Sequence, residues 1–255
     1  SQVRSLSIFY PPLSGFQIKS CPLITSFQNH LTNLTELRLY LIRESPNNQV
    51  IEGISKLKNL LYLTIEFVNC DYPSLDPLTK LNLRGFQLLS QWNFVCKAKD
   101  MSKLAGTLRR ISTLENLILL ITARDNKSLV HIADILPKLT NLRSLEMRYD
   151  NAQGAQAFFK KIRTRLSIAK LKFSFPTDKS ESMVPFVDFL KLHNHLEDLH
   201  LHFTMSGILE EYYSKIMEEI QKMVGLKRLY LYLGHCKISY FGTFINTIQA
   251  LRRLE

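Results

Sequence analysis

Asp198, His200 and His202 occupy alternate positions of one short segment, so on an extended chain their side chains leave the same side. A carboxylate and two imidazoles are donor types that hold a divalent metal. The spacing matches no recognised metal signature, however, and histidines on the wet side of a strand are the ordinary account of such a pattern. No metal or other cofactor is expected. The pairs Glu210/Glu211 and Glu218/Glu219 lie where apolar residues recur every three or four positions, which reads as the solvated side of an amphipathic helix rather than an acid–base pair. The nine glycines are scattered and form no phosphate-binding loop, and neither a G-x-S-x-G elbow nor H-E-x-x-H occurs. The chain reads as non-catalytic, with no small-molecule substrate.

Charge is the second chemistry on offer. The formal net charge is +11, and it is uneven. Residues 1–90 hold 8 Lys and Arg against 6 acids, residues 91–175 hold 16 against 6, and residues 176–255 hold 9 against 10, so the excess sits in the middle third. Two clusters dominate it. One is Lys97, Lys99, Lys103, Arg109 and Arg110; the other is Lys160, Lys161, Arg163, Arg165, Lys170 and Lys172, without an intervening acid. Such concentrations attract an acidic protein surface or the phosphates of a nucleic acid, and the same charges also suit a solvated exterior that only keeps a protein soluble.

The elements that must position these groups announce themselves by repetition. The pattern L-x-x-L-x-L, with other apolar residues substituting, occurs nine times in full and a tenth time in part, from Val3/Leu6/Ile8 to Leu251/Leu254. Measured at the second apolar residue, the steps are 31, 26, 18, 36, 28, 26, 28, 30 and 25 residues, inside the range of leucine-rich repeats. Side chains alternate along a strand, so the two residues of L-x-L enter one core while their neighbours face out. Between these segments the period changes to that of a helix with one buried face, at 50–57, 130–139, 155–162, 184–192, 208–223 and 240–248. A strand followed by a helix, repeated, gives a parallel sheet on the inside of a curved solenoid with helices outside.

On these motifs the chain resembles the leucine-rich repeat proteins, of the long, helix-containing kind typified by ribonuclease inhibitor. The resemblance implies an α/β horseshoe of about nine to ten repeats, with parallel strands on the concave face, helices on the convex face, and residues 1–255 forming one domain. One departure stands out. The family usually places Asn or Cys three residues after the last core position of each strand; here those places hold Ile42, Val68, Phe86, Thr122, Asp150, Pro176, Thr204 and Gly234. The expectation is therefore an irregular horseshoe. The steps of 18 and 36 imply that Leu81 begins a strand early and that residues 84–113 form an enlarged connection.

Alternation then lists the outward strand positions. They include Arg38, Tyr40, Tyr62, Lys80, Asn82, Arg84, Ile118, Leu120, Arg148, Lys170, Lys172, His200, His202, Arg228, Tyr230 and Tyr232. Tyr and Arg most often dominate binding energy at interfaces, which makes Arg38, Tyr40, Tyr62, Arg84, Arg148, Arg228, Tyr230 and Tyr232 the expected partner contacts. No stretch approaches the ~18 apolar residues of a membrane span and no signal peptide is visible. Cys21, Cys70, Cys96 and Cys236 lack the close pairing of a zinc site and read as buried free thiols, hence an intracellular chain, in cytoplasm or nucleus. Neither end resembles the polar cap that closes a solenoid, so the chain reads as a fragment of a longer protein or as one whose ends are covered. The function expected is a protein-binding scaffold or recognition subunit of an assembly, engaging an acidic partner through its concave face and central basic region. The alternatives are a ribonucleoprotein subunit using the same basic third, an enzyme regulator of the nuclease-inhibitor or GTPase-activating type, and a substrate-recognition subunit of a ubiquitin ligase.

Overall fold

A computed structural model describes residues 3–9, 31–42, 48–68, 73–90, 97–121, 128–148, 152–175, 183–203, 210–233, 241–251 and 254. All four cysteines lie outside the described residues. Strands β1 (Ser5–Phe9), β2 (Glu36–Ile42), β3 (Tyr62–Val68), β4 (Gly85–Ser90), β5 (Asn116–Leu120), β6 (Ser144–Arg148), β7 (Lys170–Phe175), β8 (Asp198–Phe203) and β9 (Arg228–Leu233) form one parallel sheet in strict sequence order. Helices α1 (Asn48–Ile54), α2 (Ala98–Arg110), α3 (Ser128–Ile135), α4 (Ala152–Lys161), α5 (Val184–Leu192), α6 (Glu210–Gln221) and α7 (Phe241–Ala250) connect them. A 3₁₀ turn, Asp76–Lys80, stands in for a helix between β3 and β4.

The register follows from the repeat. Leu37, Leu63, Phe86, Leu117, Leu145, Leu171, Leu199 and Leu229 pair strand to strand, and the residues two further on, from Leu39 to Leu231, do the same. Both rows point inward against the helices, whose apolar faces close the other side of the core. In α2, Met101, Leu104, Ala105 and Leu108 are buried while Lys99, Lys103, Arg109 and Arg110 are exposed, the one-sided pattern that holds a helix on a core. Each fully buried leucine stabilises the fold by about 1.5–3 kcal/mol relative to exposure.

The backbone also joins repeats directly. The carbonyl just before each strand accepts two N–H groups of the next repeat: Arg4 O takes Thr35 and Glu36, Thr35 O takes Leu61 and Tyr62, and the series runs on through Leu61, Arg84, Glu115, Arg143, Ala169 and Glu197 to Lys227 and Arg228. Side chains reinforce it. Asn59 Nδ2 donates to Thr32 O at 2.7 Å, Asn141 Nδ2 donates to Ser112 O at 2.8 Å, and Thr113 Oγ1 donates to Leu83 O at 2.7 Å.

One expectation of strand placement is overturned. The letters Leu78/Leu81/Leu83 do not form a strand: Asp76 and Pro77 open the 3₁₀ turn, Leu78 and Leu81 share its buried side, and β4 starts at Gly85. The repeat at this place is Leu83/Phe86/Leu88, so the steps become 23 residues from Leu63 to Phe86 and 31 to Leu117. The connection at 84–113 is thus a repeat of ordinary length containing β4 and α2. Lys80, Asn82 and Arg84 fall outside the strand accordingly. At the other end, Leu251 is buried in the lead-in position, its N–H bonded to Ile248 O, and Leu254 is not in a strand.

Candidate recognition surface

The sheet face away from the helices carries three columns of outward side chains. From β2 to β9 the first is Glu36, Tyr62, Gly85, Asn116, Ser144, Lys170, Asp198 and Arg228. The second is Arg38, Thr64, Gln87, Ile118, Glu146, Lys172, His200 and Tyr230, and the third is Tyr40, Glu66, Leu89, Leu120, Arg148, Ser174, His202 and Tyr232. Seven of the eight residues expected to contact a partner stand on this face. Arg84 does not: it precedes β4, and its Nε lies 3.8 Å from Glu115 Oε1 at the strand-entry edge. Gly85, Gln87 and Leu89 take the places expected for Lys80, Asn82 and Arg84.

The columns divide the face into zones. Toward β2 and β3 stand Glu36 and Glu66 with Tyr40 and Tyr62; the middle is partly buried and apolar at Leu89, Ile118 and Leu120; toward β9 the surface is cationic and aromatic. Tyr62, Tyr230 and Tyr232 are 43%, 56% and 48% exposed, far more than a tyrosine kept for core packing. Tyr62 owes its place to a glycine: a Cβ on Gly85 would lie 2.5 Å from Tyr62 Cδ1, so the ring rests on bare backbone. His200 stacks on Tyr230 at 5.5 Å, and His202 meets Tyr232 edge-on at 4.3 Å.

Asp198 organises the cationic end. Its Oδ2 lies 2.9 Å from Arg228 Nη2 and 3.5 Å from Lys170 Nζ, and His200 Nε2 lies 2.8 Å from Oδ1. A carboxylate so occupied by cations is a poor metal ligand, and among the described residues no group of three His, Cys, Asp or Glu is arranged to hold a metal. Lys172 pairs with Glu146 at 2.7 Å. Burial, then the charges of Arg148 and Lys172, hold the His202 imidazole below its usual pKa. Five Lys and Arg and four acids share the three columns, so this face is close to neutral.

The excess positive charge therefore lies elsewhere. Of the second basic cluster, Lys170 and Lys172 project from the sheet face, while Lys160, Lys161, Arg163 and Arg165 occupy the end of α4 and the turn into β7. The first cluster is divided by its own helix: Lys97 and Lys99 sit at the start of α2, Lys103 near its middle, and Arg109 and Arg110 at its end, about 18 Å along the axis from Lys97. The expected central basic region is not one surface. Among the described residues, no helix is long and apolar enough to cross a membrane.

No known family's sequence profile matches the chain, and no curated protein matches it. Among solved structures it is similar to TLR13 in the crystal structure of the TLR13–ssRNA13 complex, with 13% identity, coverage of 89% of this chain and 40% of that one, and a TM-score of 0.36. It is also similar to a leucine-rich repeat protein of Leptospira interrogans, with 11% identity, coverage of 98% and 89% respectively, and a TM-score of 0.25. This chain thus spans 40% of the TLR13 chain's length. Among the described residues nine strands form one parallel, in-register ladder, β2 to β9 are each entered through backbone bonds from the repeat before, and from β2 onward a helix or 3₁₀ turn follows each strand, which makes this chain an α/β leucine-rich repeat solenoid.

Proposed function

We propose that the chain is a protein-recognition module, a scaffold or recognition subunit of a larger assembly, and that the sheet face from β6 to β9 is where it grips its partner. The observation that carries this reading is the exposure of Tyr230 and Tyr232 on one sheet face with Arg148 and Arg228, the residue types that most often supply interface hot spots. Their rings are braced by His200 and His202, which lowers the entropy lost when a partner fixes them. On these four strands Arg148, Lys170, Lys172 and Arg228 stand with Glu146 and Asp198, and such interleaved charges of both signs suit a protein surface with complementary charges better than a polyphosphate. An acidic patch on the partner would meet Arg148 and Lys172.

The test is affinity purification from the native cell under gentle salt, with nuclease treatment, using the wild-type chain and the Tyr230→Ala/Tyr232→Ala double variant. A stoichiometric protein retained by the wild type and lost by a variant of unchanged circular dichroism supports the reading. Equal retention by both removes this face from the account.

A further inference from the structure

The seven segments that lead from helix or 3₁₀ turn into strand, residues 55–61, 80–84, 109–115, 136–143, 160–169, 191–197 and 222–227, hold fifteen Lys and Arg and two acids, Glu115 and Glu197. Their excess of thirteen positive charges exceeds the +11 of the whole chain. The topology places all seven side by side. Every strand is parallel, so every strand is entered from the same edge, and the backbone bonds that pass from Leu61 through Arg84, Glu115, Arg143, Ala169 and Glu197 to Lys227 run along that edge. The basic residues of the chain are gathered by edge, not by thirds of the sequence.

Part of this is ordinary helix chemistry, since cations near a helix C-terminus oppose its partial negative charge. That explains Arg109, Arg110, Lys160 and Lys161, but not Lys56, Lys58, Arg143, Arg163 or Arg165, which lie in the turns. Several cations are neutralised locally: Arg110 pairs with Asp76, Lys161 with Asp134 at 3.2 Å, and Lys227 with Glu197 at 2.7 Å. Lys56, Lys58, Arg109, Lys138, Arg143 and Lys160 are exposed and have no acidic partner among the described residues. The charge is uncompensated where the rim is most continuous, from the turn into β5 to the turn into β7.

We propose that this rim is a track for the sugar–phosphate backbone of a nucleic acid, separate from the sheet face assigned to protein. Six steps of strand spacing make the rim about 29 Å long, the span of about eight phosphates of one strand. The rim has no exposed aromatic side chain for base stacking, its His195 ring being half-buried and bonded to Arg165 and Leu166 O, so binding is to backbone and indifferent to sequence. An acidic protein is the poorer fit, because a protein interface needs an apolar centre and this rim is a line of charges.

The test uses the whole chain and a fluorescein-labelled duplex of arbitrary sequence, with anisotropy read between about 50 and 200 mM salt. The expected affinity falls steeply across that range. Replacing Arg143→Gln, Lys160→Gln and Arg163→Gln together weakens binding at the lower salt by at least about 30-fold and flattens the log–log salt slope by about 2.7. The comparison is Lys97→Gln, Lys99→Gln and Lys103→Gln, which removes the same charge from the first half of α2, away from the rim, and leaves affinity within about threefold. Both triple variants keep the wild-type circular dichroism. Equal weakening by the two would mean attraction to net charge alone and would overturn the track, as would absence of binding at the lower salt or equally tight binding to polyglutamate or to phosphatidylserine vesicles.

Discussion

His193 makes this solenoid sensitive to acid at one interface between repeats. The residue is fully buried, its Nε2 accepts the Leu166 N–H at 2.9 Å, and its Nδ1 lies 2.6 Å from Phe189 O, to which it donates. Both ring nitrogens are committed in the neutral form, and the ring stacks on Phe189 at 3.9 Å. Burial is the main reason its pKa falls from 6.5 to about 4, with the nearby His195 and Arg165 charges adding to it and the bond to Phe189 opposing. Between these two values the unfolded chain binds a proton that the native chain refuses, so stability rises with pH across the window. The contribution is complete above about pH 6.5 and gone once the pH has fallen through about 4. At about 1.36 kcal/mol per pH unit of displacement the full effect is about 3 kcal/mol, of which about 2.5 is lost between pH 7 and pH 4.5.

The perturbation that isolates it is His193→Gln. At pH 7 the variant is less stable by about 1–3 kcal/mol, because a single amide cannot both accept from Leu166 and donate to Phe189 in this geometry. As pH falls, the wild type loses that advantage and the two curves converge. Urea unfolding followed by circular dichroism at several values between pH 7 and 4.5 measures this. Other acid-sensitive groups, such as Asp76, whose carboxyl the Thr107 hydroxyl and Arg110 hold low, change both proteins alike and cancel in the difference. Parallel curves, separated by a constant gap over the whole range, would refute the reasoning.

Three further outcomes follow from packing. Gly85→Ala drives a methyl into the Tyr62 ring and costs about 1–3 kcal/mol in urea unfolding, so a variant as stable as the wild type would show that the ring moves aside freely. Phe159→Ala empties the centre of a cluster with Phe158, Phe173, Phe186 and Phe189, all with ring centroids within 6.3 Å of a neighbour, and lowers stability by about 3–5 kcal/mol. Asn141→Ala removes the tie to Ser112 O and costs about 0.5–1.5 kcal/mol; a hydrogen-exchange map that shows no loosening at the entry to β6 would count against that tie.

The repeat was legible because its two signals, period two in the strands and period three to four between them, come from burial on one side of each element. The six helical stretches each match a helix, with ends moved by a few residues. The fourth strand was not legible in the same way. Leu78, Leu81 and Leu83 satisfy the strand pattern letter for letter, yet spacing three also suits one side of a 3₁₀ turn, and Asp76–Pro77 was the local clue that such a turn starts there. Phe86 in place of leucine hid the true repeat. The sheet face followed from alternation wherever the strand was placed correctly, which is why Arg38, Tyr62 and Tyr230 landed on it and Arg84 did not. The basic rim showed in the sequence only as two separate runs, at 109–110 and 160–165, because its other members are about one repeat apart and only the parallel ladder brings them together.

The strand-entry ladder bears on how such a chain changes over time. Its bonds run from main chain to main chain, so the register between repeats makes no demand on which side chain stands at Arg84, Arg143 or Ala169. Substitution at those positions is nearly silent for folding, unlike at Asn141 or His193, and the identity of what the edge attracts drifts free of the leucines that hold the coil together. A lineage could reverse the sign of the rim one turn at a time and remain folded at every step.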